Sequence, residues 1–192
     1  MVSDNTKDRI LEISLKLFSD KGYAALSMRD LSEAIGIRAS SIYYYFKSKQ
    51  EIFDALLQRA ETMTNVLKAT FFQALNSSEK VASEEFVRAG VAFVTMYLQN
   101  EQIAPLLHAL ESERFHNSKA NETWQKMLFA VPIEHEAKVF KVLYERGLIK
   151  NQDADELAAE YHGIEMLGYF TGDTERMAKA LESFYKRVFV GN

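Results

Sequence analysis

The sequence contains no cysteine among its 192 residues, so disulfide bonds and thiolate chemistry are excluded. It has only two prolines and eight glycines, and its apolar residues recur mostly at spacings of three and four, which predicts helices. No apolar run approaches the roughly 20 residues that a membrane-spanning helix requires. The first residues also lack the order of basic, apolar and small residues of a signal peptide. We therefore expect an all-α, cytoplasmic protein that makes no membrane contact.

The charge is distributed unevenly along the chain. The formal net charge is −4, yet residues 1–50 contain eight Lys or Arg against six Asp or Glu. Between residues 21 and 50 there are five basic residues and two acidic ones. A basic N-terminal part on an acidic remainder indicates where an anionic partner would dock. We expect two domains, at residues 1–50 and 51–192.

Three short helices are predicted in the N-terminal domain. The first has an apolar face that includes Ile10 and Phe18, and Gly22 ends it in a left-handed conformation. Ser27 and Asp30 resemble a capping box, which opens a second helix that ends near Gly36. A third helix is predicted from about residue 38 to residue 45. The alternative there is a strand, because Ile and Tyr favour strands, but no neighbouring segment alternates in polarity to pair with it.

The remaining segments are also typical of helices. A second capping box, Ser48 with Glu51, opens a long helix. Four further helices are predicted over residues 83–100, 121–147, 153–170 and 173–189. Pro132 lies inside the second of these, where it either kinks the helix or begins a new one.

The second and third helices have the lengths and the turn of a helix-turn-helix. Gly36 suits the tight turn because it has no Cβ, and the apolar side chains of Leu31, Ile35, Ile37 and Ile42 would fill the core between the helices. The second helix of such a unit lies in the major groove of DNA with its N-terminal residues facing the bases.

The stretch LSMRDLSEAIGIRASSIYYYFKSKQEI (residues 26–52) resembles the DNA-binding domain of the TetR family of transcriptional regulators. The matching positions are Leu31, Gly36, Ile37, Ile42, Tyr43, Phe46, Lys49, Glu51 and Ile52, preceded by Phe18, Gly22, Tyr23 and Ser27. The resemblance covers about the first quarter of the chain. It implies contacts with DNA phosphates by Ser27, Arg29, Tyr43 and Lys49, contacts with bases by Arg38, Ala39, Ser40, Ser41 and Tyr44, and a backbone contact by Tyr45.

The three consecutive tyrosines, Tyr43, Tyr44 and Tyr45, cannot share one face of a helix, because consecutive side chains point about 100° apart. We expect them to spread across the wall of a groove, while Phe46 turns into the core. Three positions depart from the family pattern. Arg38 stands where a Ser usually caps the recognition helix, Ser32 replaces the more usual Ala, and Ser40 replaces a small Gly or Ala.

The same resemblance implies a C-terminal domain that binds a small molecule and forms a homodimer. Candidate residues of an apolar pocket are Phe93, Met96, Tyr97, Trp124, Met127 and Met166, although each could instead be ordinary core. His108, His135 and His162 could supply polar groups to such a site. The predicted dimer interface consists of Tyr161, Ile164, Leu167, Gly168, Met177, Leu181, Phe184 and Val188, with Gly168 allowing helices to approach closely.

An enzymatic function would rest on the pattern Glu113-x-x-His116. Di-iron sites in helical bundles need two such patterns, and the sequence has no second one. We therefore expect neither an enzyme nor a bound cofactor.

The sequence predicts a TetR-like repressor that binds a pseudo-palindromic operator as a homodimer and is released by a small, largely apolar ligand. The alternative is a helix-turn-helix regulator without a small-molecule inducer, controlled by a protein partner.

Overall fold

A computed structural model describes residues 2–77, 80–150 and 153–191, with the side chains at these positions except at 2–5, 67, 68 and 70–77. The α-helices are α1 (Val2–Lys21), α2 (Met28–Ile35), α3 (Ala39–Tyr45), α4 (Lys49–Ser77), α5 (Ser83–Ala92), α6 (Ala104–Glu113), α7 (Ser118–Gln125), α8 (Val131–Glu145), α9 (Ala154–Thr171) and α10 (Thr174–Val188). Two π-helical segments, π1 (Phe93–Leu98) and π2 (Lys126–Ala130), follow α5 and α7. The all-α prediction is confirmed.

The chain divides into two compact units. The first comprises Met1–Asn65 and Glu101–Trp124, and the second comprises Val66–Asn100 and Gln125–Asn192. The domain boundary predicted at residues 50 and 51 falls within the first turn of α4 and remains a prediction. None of the helices among the described residues is both long and apolar enough to cross a membrane.

The first unit is built on the apolar face of α1. Ile10, Leu11 and Phe18 are buried, and the Phe18 ring meets the Phe53 ring edge-on at 5.9 Å. Within this unit α1 packs against α2 and α6, and α2 packs against α3. The helix ends as predicted, because Gly22 adopts a φ of +83° and its N–H donates to the Phe18 carbonyl.

The helix-turn-helix prediction is confirmed in detail. Ser27 and Asp30 form a reciprocal capping box at the start of α2. Gly36 has a φ of 75°, and its N–H donates to the carbonyls of α2 that lack a partner within the helix. Arg9 of α1 donates to the Ile35 carbonyl at 2.7 Å, which ties the end of α2 to the body of the unit. The turn therefore sets a fixed position for α3.

An aromatic core holds the second unit together. Phe86 of α5 stacks against Phe184 of α10 at 5.9 Å, and Tyr161 of α9 meets Phe140 of α8 edge-on at 5.8 Å. In this unit α9 packs against α8, α10 and π1. The only strand-like pairing in the described ranges is one antiparallel bridge between Ile149 and Phe189.

The structure divides two segments that we predicted as single helices. Residues 83–100 change from α-helix to π-helix at Phe93, and residues 121–147 do so at Lys126. Pro132 lies in the first turn of α8, so it begins a new helix, which was one of the two alternatives. Helix α6 was not predicted.

Candidate nucleic-acid interface and a buried polar cluster

The N-terminus of α3 presents the predicted base-reading residues at the surface. Arg38 is the N-cap residue and makes no side-chain cap hydrogen bond, which agrees with the departure seen in the sequence. Arg38 and Ser40 are exposed, while Ala39 and Ser41 are half-buried. The guanidinium of Arg38 can therefore extend towards an anionic surface without breaking a cap.

The three tyrosines of α3 differ in exposure. Tyr43 is 47% exposed and Tyr44 is 76% exposed, whereas Tyr45 is half-buried with its ring 5.0 Å from that of Tyr44. Phe46 is buried, as predicted. Two neighbouring aromatic side chains thus face solvent on a helix of seven residues, next to the exposed N-terminal residues described above.

Two predicted phosphate ligands lie at the start of α2. The Ser27 hydroxyl takes part in the capping box with Asp30. The hydrogen bond from the Ser27 hydroxyl, and to a lesser extent the one from the Ser27 backbone N–H, lowers the pKa of the Asp30 carboxyl. Arg29 is exposed and pairs with Glu33 at 3.2 Å, one turn along the helix. Both residues are at the surface, but both also stabilise α2: Ser27 caps its N-terminus and Arg29 forms an ion pair along it.

Lys49 makes structural contacts that the sequence did not predict. Its Nζ donates to the carbonyls of Tyr23 and Leu26 at 2.6 Å each, and it lies 4.2 Å from the centre of the Tyr23 ring. Burial lowers the pKa of its ammonium group. The hydrogen bonds of Lys49 therefore connect the start of α4 to the segment between α1 and α2.

A cluster of ionisable side chains is buried in the second unit. Nδ1 of His162 on α9 lies 3.0 Å from Oε1 of Glu136 on α8 and 3.6 Å from Oε2 of Glu165, one turn along α9. The other ring nitrogen, Nε2, donates to the Leu128 carbonyl of π2 at 2.7 Å. Tyr161 is hydrogen-bonded to the Glu165 carboxyl.

Burial and neighbouring charges shift the pKa values of His162, Glu165 and Tyr161. Burial alone would lower the pKa of His162, but its hydrogen bond to Glu136, its ion pair with Glu165 and the negative charges of both raise it to about 10. Burial raises the pKa of Glu165 to about 8, against the opposing effect of His162. Burial also raises the pKa of Tyr161. The imidazole of His162, the carboxyl of Glu165 and the phenol of Tyr161 thus all have raised pKa values in this buried environment.

The predicted pocket residues are only partly brought together. Phe93 and Tyr97 stack at 5.4 Å, and the Phe93 ring lies 6.3 Å from that of His162. Met166 is buried, Met127 is half-buried and Met96 is exposed. Trp124 belongs to the first unit, where the Arg114 guanidinium lies 4.0 Å from its ring centre. Of the other two predicted histidines, His108 is exposed and His135 is half-buried.

Most of the predicted dimer interface is core of the second unit. Six of its members are buried within the chain: Tyr161, Gly168, Met177, Leu181, Phe184 and Val188. A Cβ at Gly168 would clash with Sδ of Met177, so the close approach that this glycine permits is between α9 and α10 of the same chain. Ile164 and Leu167 are the two members that retain exposed surface.

Glu113 has a structural contact in the first unit. Its Oε1 accepts a hydrogen bond from the Ala24 N–H at 3.0 Å, while His116 is exposed. Within the Glu113-x-x-His116 pattern, Glu113 therefore stabilises the segment before α2.

Sequence reasoning missed Glu136 and Glu165 as partners of His162. A signal was present, because His162 and Glu165 are three residues apart in a largely apolar stretch and so share one face of a helix. Glu136 is 26 residues away from His162, and only the packing of α8 against α9 reveals that it belongs to the same cluster.

Comparisons with known proteins agree with the fold and the first unit. Residues 10–56 match the family model of bacterial regulatory proteins of the tetR family. The negative transcriptional regulator IcaR of the biofilm operon icaADBC in Staphylococcus epidermidis is 38% identical over 47 residues, which is 24% of this chain and 25% of that protein. This chain therefore matches about a quarter of the length of its curated relatives.

Two solved structures resemble the chain over nearly its whole length. A chain from Mesorhizobium loti MAFF303099, described as a TetR-family transcriptional regulator, has a TM-score of 0.75 at 18% identity, covering 99% of this chain and all of that one. A transcriptional regulator from Saccharomonospora viridis, solved in complex with choline, has a TM-score of 0.63 at 20% identity, covering 98% of this chain and all of that one. At these identities the likeness establishes the fold alone.

Proposed function

We propose that this chain belongs to the TetR family of bacterial transcriptional regulators, whose family model matches residues 10–56, and that it is a repressor that binds a pseudo-palindromic operator as a homodimer. In this proposal α3 of each copy enters the major groove of one half-site. The observation that carries it is the exposure of Tyr43 and Tyr44 on a helix whose position is fixed by the capping box and by Gly36. A phenol in that position can lie on a deoxyribose and donate to a phosphate.

The exposed groups divide into two roles. Arg38, Ser40 and Tyr44 stand at the surface of α3 and would read base edges, with Ala39 and Ser41 behind them. A good bidentate contact to a base, such as the guanidinium of Arg38 could make with guanine, discriminates by about 1–3 kcal/mol. The phosphate contacts would come from Ser27, Arg29, Tyr43, Tyr45 and Lys49, which fix the orientation of the helix without reading sequence.

The test begins with selection of a binding site from random duplex DNA by the purified full chain. Affinity is then measured for the selected site and for unrelated DNA over a range of salt concentrations. Tyr43→Phe should weaken binding to both DNAs by a similar factor, and Tyr44→Ala should change the preferred bases. The control is Tyr144→Phe, an exposed tyrosine of the second unit, which should leave both affinities unchanged. Wild-type affinity in both α3 variants would contradict the proposal.

We place the dimer contact on the outward face of α9. Gly163, Ile164, Leu167 and Phe170 follow the helical spacing of one stripe, and Leu167 and Phe170 are 39% and 56% exposed. The exposed face of α10 is instead charged, with the pairs Lys179–Glu175 and Lys186–Glu182. An apolar stripe beside a charged helix favours a self-complementary contact about a twofold axis.

Sedimentation velocity tests this placement. Leu167→Asp should convert the dimer to monomer, because a carboxylate would be buried without a partner. Phe115→Asp changes an exposed aromatic of the first unit in the same way and should leave the dimer intact. If Leu167→Asp still sediments as a dimer, the interface does not lie on this face of α9.

The proposed effector is a small, largely apolar molecule that enters the second unit. Support comes from the aromatic rings of Phe93, Tyr97 and Phe129 gathered around π1, π2 and His162. The S. viridis neighbour was crystallised with choline, which is consistent with small-molecule binding on this fold. A ligand that lowers operator affinity must itself bind less tightly to the operator complex, by the same factor.

A compound library screened by thermal shift of the full chain tests this point. Compounds that stabilise the protein should also release the selected DNA. Stabilising compounds that leave DNA affinity unchanged would favour the alternative, a regulator controlled by a protein partner.

A further inference from the structure

We propose that Glu136, His162 and Glu165 form a binding site for one divalent first-row transition metal ion inside the second unit. The three residues offer one imidazole nitrogen and two carboxylate oxygens, all within 4.8 Å of one another. The inference does not depend on the proposed DNA-binding function, because every residue involved lies in the second unit.

The distances suit a metal ion. Zinc binds histidine nitrogen and carboxylate oxygen at about 2.1 Å, so neighbouring ligand atoms lie roughly 3.0–3.4 Å apart in octahedral or tetrahedral geometry. Here Nδ1 of His162 is 3.0 Å from Oε1 of Glu136 and 3.6 Å from Oε2 of Glu165. An ion at the centre of this triangle needs only small side-chain movements, whereas an organic cation would need a cavity opened among buried side chains.

The orientation of His162 also matches that of a metal ligand. Histidines that bind metals usually donate their second ring N–H to a carbonyl or carboxylate, which fixes the ring and the tautomer. Because a carbonyl oxygen can only accept, Nε2 must carry the proton in its 2.7 Å hydrogen bond to the Leu128 oxygen. Nδ1 is therefore the nitrogen that faces the two carboxyls.

Two carboxylate oxygens in the cluster accept no hydrogen bond, and the one from Glu165 has only its 3.6 Å ion pair with Nδ1 of His162. Oε2 of Glu136 and Oε2 of Glu165 are buried without a hydrogen bond, and Glu165 is only 2% exposed. Buried polar atoms normally have hydrogen-bond partners, so each exception calls for an explanation. A divalent cation between the three side chains would coordinate Oε2 of Glu165, and it would satisfy Oε2 of Glu136 as well if that carboxylate bound through both oxygens. Its charge would balance two carboxylates beside a neutral imidazole.

Both π-helical segments contact this cluster. π2 supplies the Leu128 carbonyl and the Phe129 ring, which lies 5.9 Å from that of His162, and π1 supplies the Phe93 ring. Such segments are rare in proteins and occur frequently at functional sites. Phe129 also lines an open cleft together with two acidic residues, Glu134 and Asp155.

The donor set selects among cations. Calcium and magnesium prefer sites made of oxygen ligands alone, whereas an imidazole beside carboxylates suits zinc, iron, manganese or cobalt. We therefore expect zinc to bind much more tightly than magnesium.

The test uses the full chain, stripped with EDTA and titrated calorimetrically with Zn²⁺. We expect one ion per chain, and at least about a 100-fold loss of affinity in His162→Gln and in Glu165→Gln, because even residues that only orient a metal ligand are worth 10–100-fold. The matched control is His108→Gln, an exposed histidine in the first unit, which should bind Zn²⁺ as the wild type does. Circular dichroism in EDTA establishes whether each variant is folded.

If the variants of the buried residues fail to fold, the position of the ion can be determined in the wild-type protein. Anomalous diffraction at the zinc edge from wild-type crystals should place one peak between Nδ1 of His162 and the carboxylates of Glu136 and Glu165. The proposal is overturned if the wild type binds no zinc, if His108→Gln abolishes binding, or if the peak lies at other residues.

Discussion

Replacing Lys49 with methionine separates its structural role from its predicted contact with DNA. Met keeps much of the aliphatic length of Lys but removes the ammonium group, and with it two hydrogen bonds to the carbonyls of Tyr23 and Leu26. Hydrogen bonds from a charged donor contribute about 1.5–3 kcal/mol each when buried, and an ammonium over an aromatic ring adds about 0.5–1 kcal/mol. Because Lys49 is half-buried, water can replace part of these contacts. We therefore expect the free energy of unfolding of the first unit to fall by about 2 kcal/mol.

The assay for this prediction is urea unfolding followed by tryptophan fluorescence. The chain has one tryptophan, Trp124, and it lies in the first unit, so its emission reports that unit. Lys47→Met is the matched control, because Lys47 is exposed and its Nζ is 3.4 Å from the Tyr43 carbonyl. It should change stability by less than about 0.5 kcal/mol.

A purely DNA-binding role of Lys49 predicts a different result. If Lys49 acted only on DNA, then Lys49→Met would unfold at the wild-type urea concentration. The slope of log affinity against log salt would fall by about one, as expected for the loss of one phosphate contact. That result would refute the structural role assigned to its two short hydrogen bonds.

Three further changes test other parts of the structure. Gly168→Ala should destabilise the second unit by about 1–3 kcal/mol, because the added methyl group would be overpacked against Met177. In the double variant Met177→Ala should relieve this steric clash. Thermal melts of the single and double variants measure both effects. Ser27→Ala should lower stability by about 1 kcal/mol through loss of the cap on α2, measured by urea unfolding; an unchanged midpoint would show that the capping box contributes nothing. In metal-free protein, stability should fall as pH rises from about 6.5 to about 10, because the raised pKa of His162 means that the folded chain binds a proton over this range. The raised pKa of Glu165 acts in the same direction between its ordinary value and about 8, and a His162→Gln variant with the wild-type profile in unfolding scans would contradict this assignment.

The sequence was most informative where local chemistry determines local structure. The capping box of Ser27 and Asp30 and the left-handed Gly36 each depend on residues within four positions of one another, so their patterns predict the α2–α3 turn directly. The same holds for α3, where the absence of a partner strand outweighed the strand propensity of the tyrosines. The second box was only partly as predicted: Ser48 accepts from the Glu51 N–H, but Glu51 accepts from the Lys47 N–H.

Long-range packing set the limit of prediction. Lys49 reaches carbonyls 23 and 26 residues earlier in the chain, and Glu136 meets His162 only because α8 packs against α9. An apolar stripe on α9 or α10 predicts burial, but its pattern does not distinguish packing within the chain from packing against a second copy. Met177 and Leu181, which the sequence predicts at a dimer interface, are examples, since both are fully buried within the chain.

The most direct test of DNA recognition by α3 is a footprint of the purified protein on its selected DNA. Two copies that each place α3 in the major groove should protect two half-sites of inverted sequence, centred about 10–10.5 base pairs apart or a multiple of that distance. Tyr44→Ala should lose the protection on this site. Protection of a single, asymmetric site, or a pattern that Tyr44→Ala leaves unchanged, would contradict a dimer that reads DNA through α3.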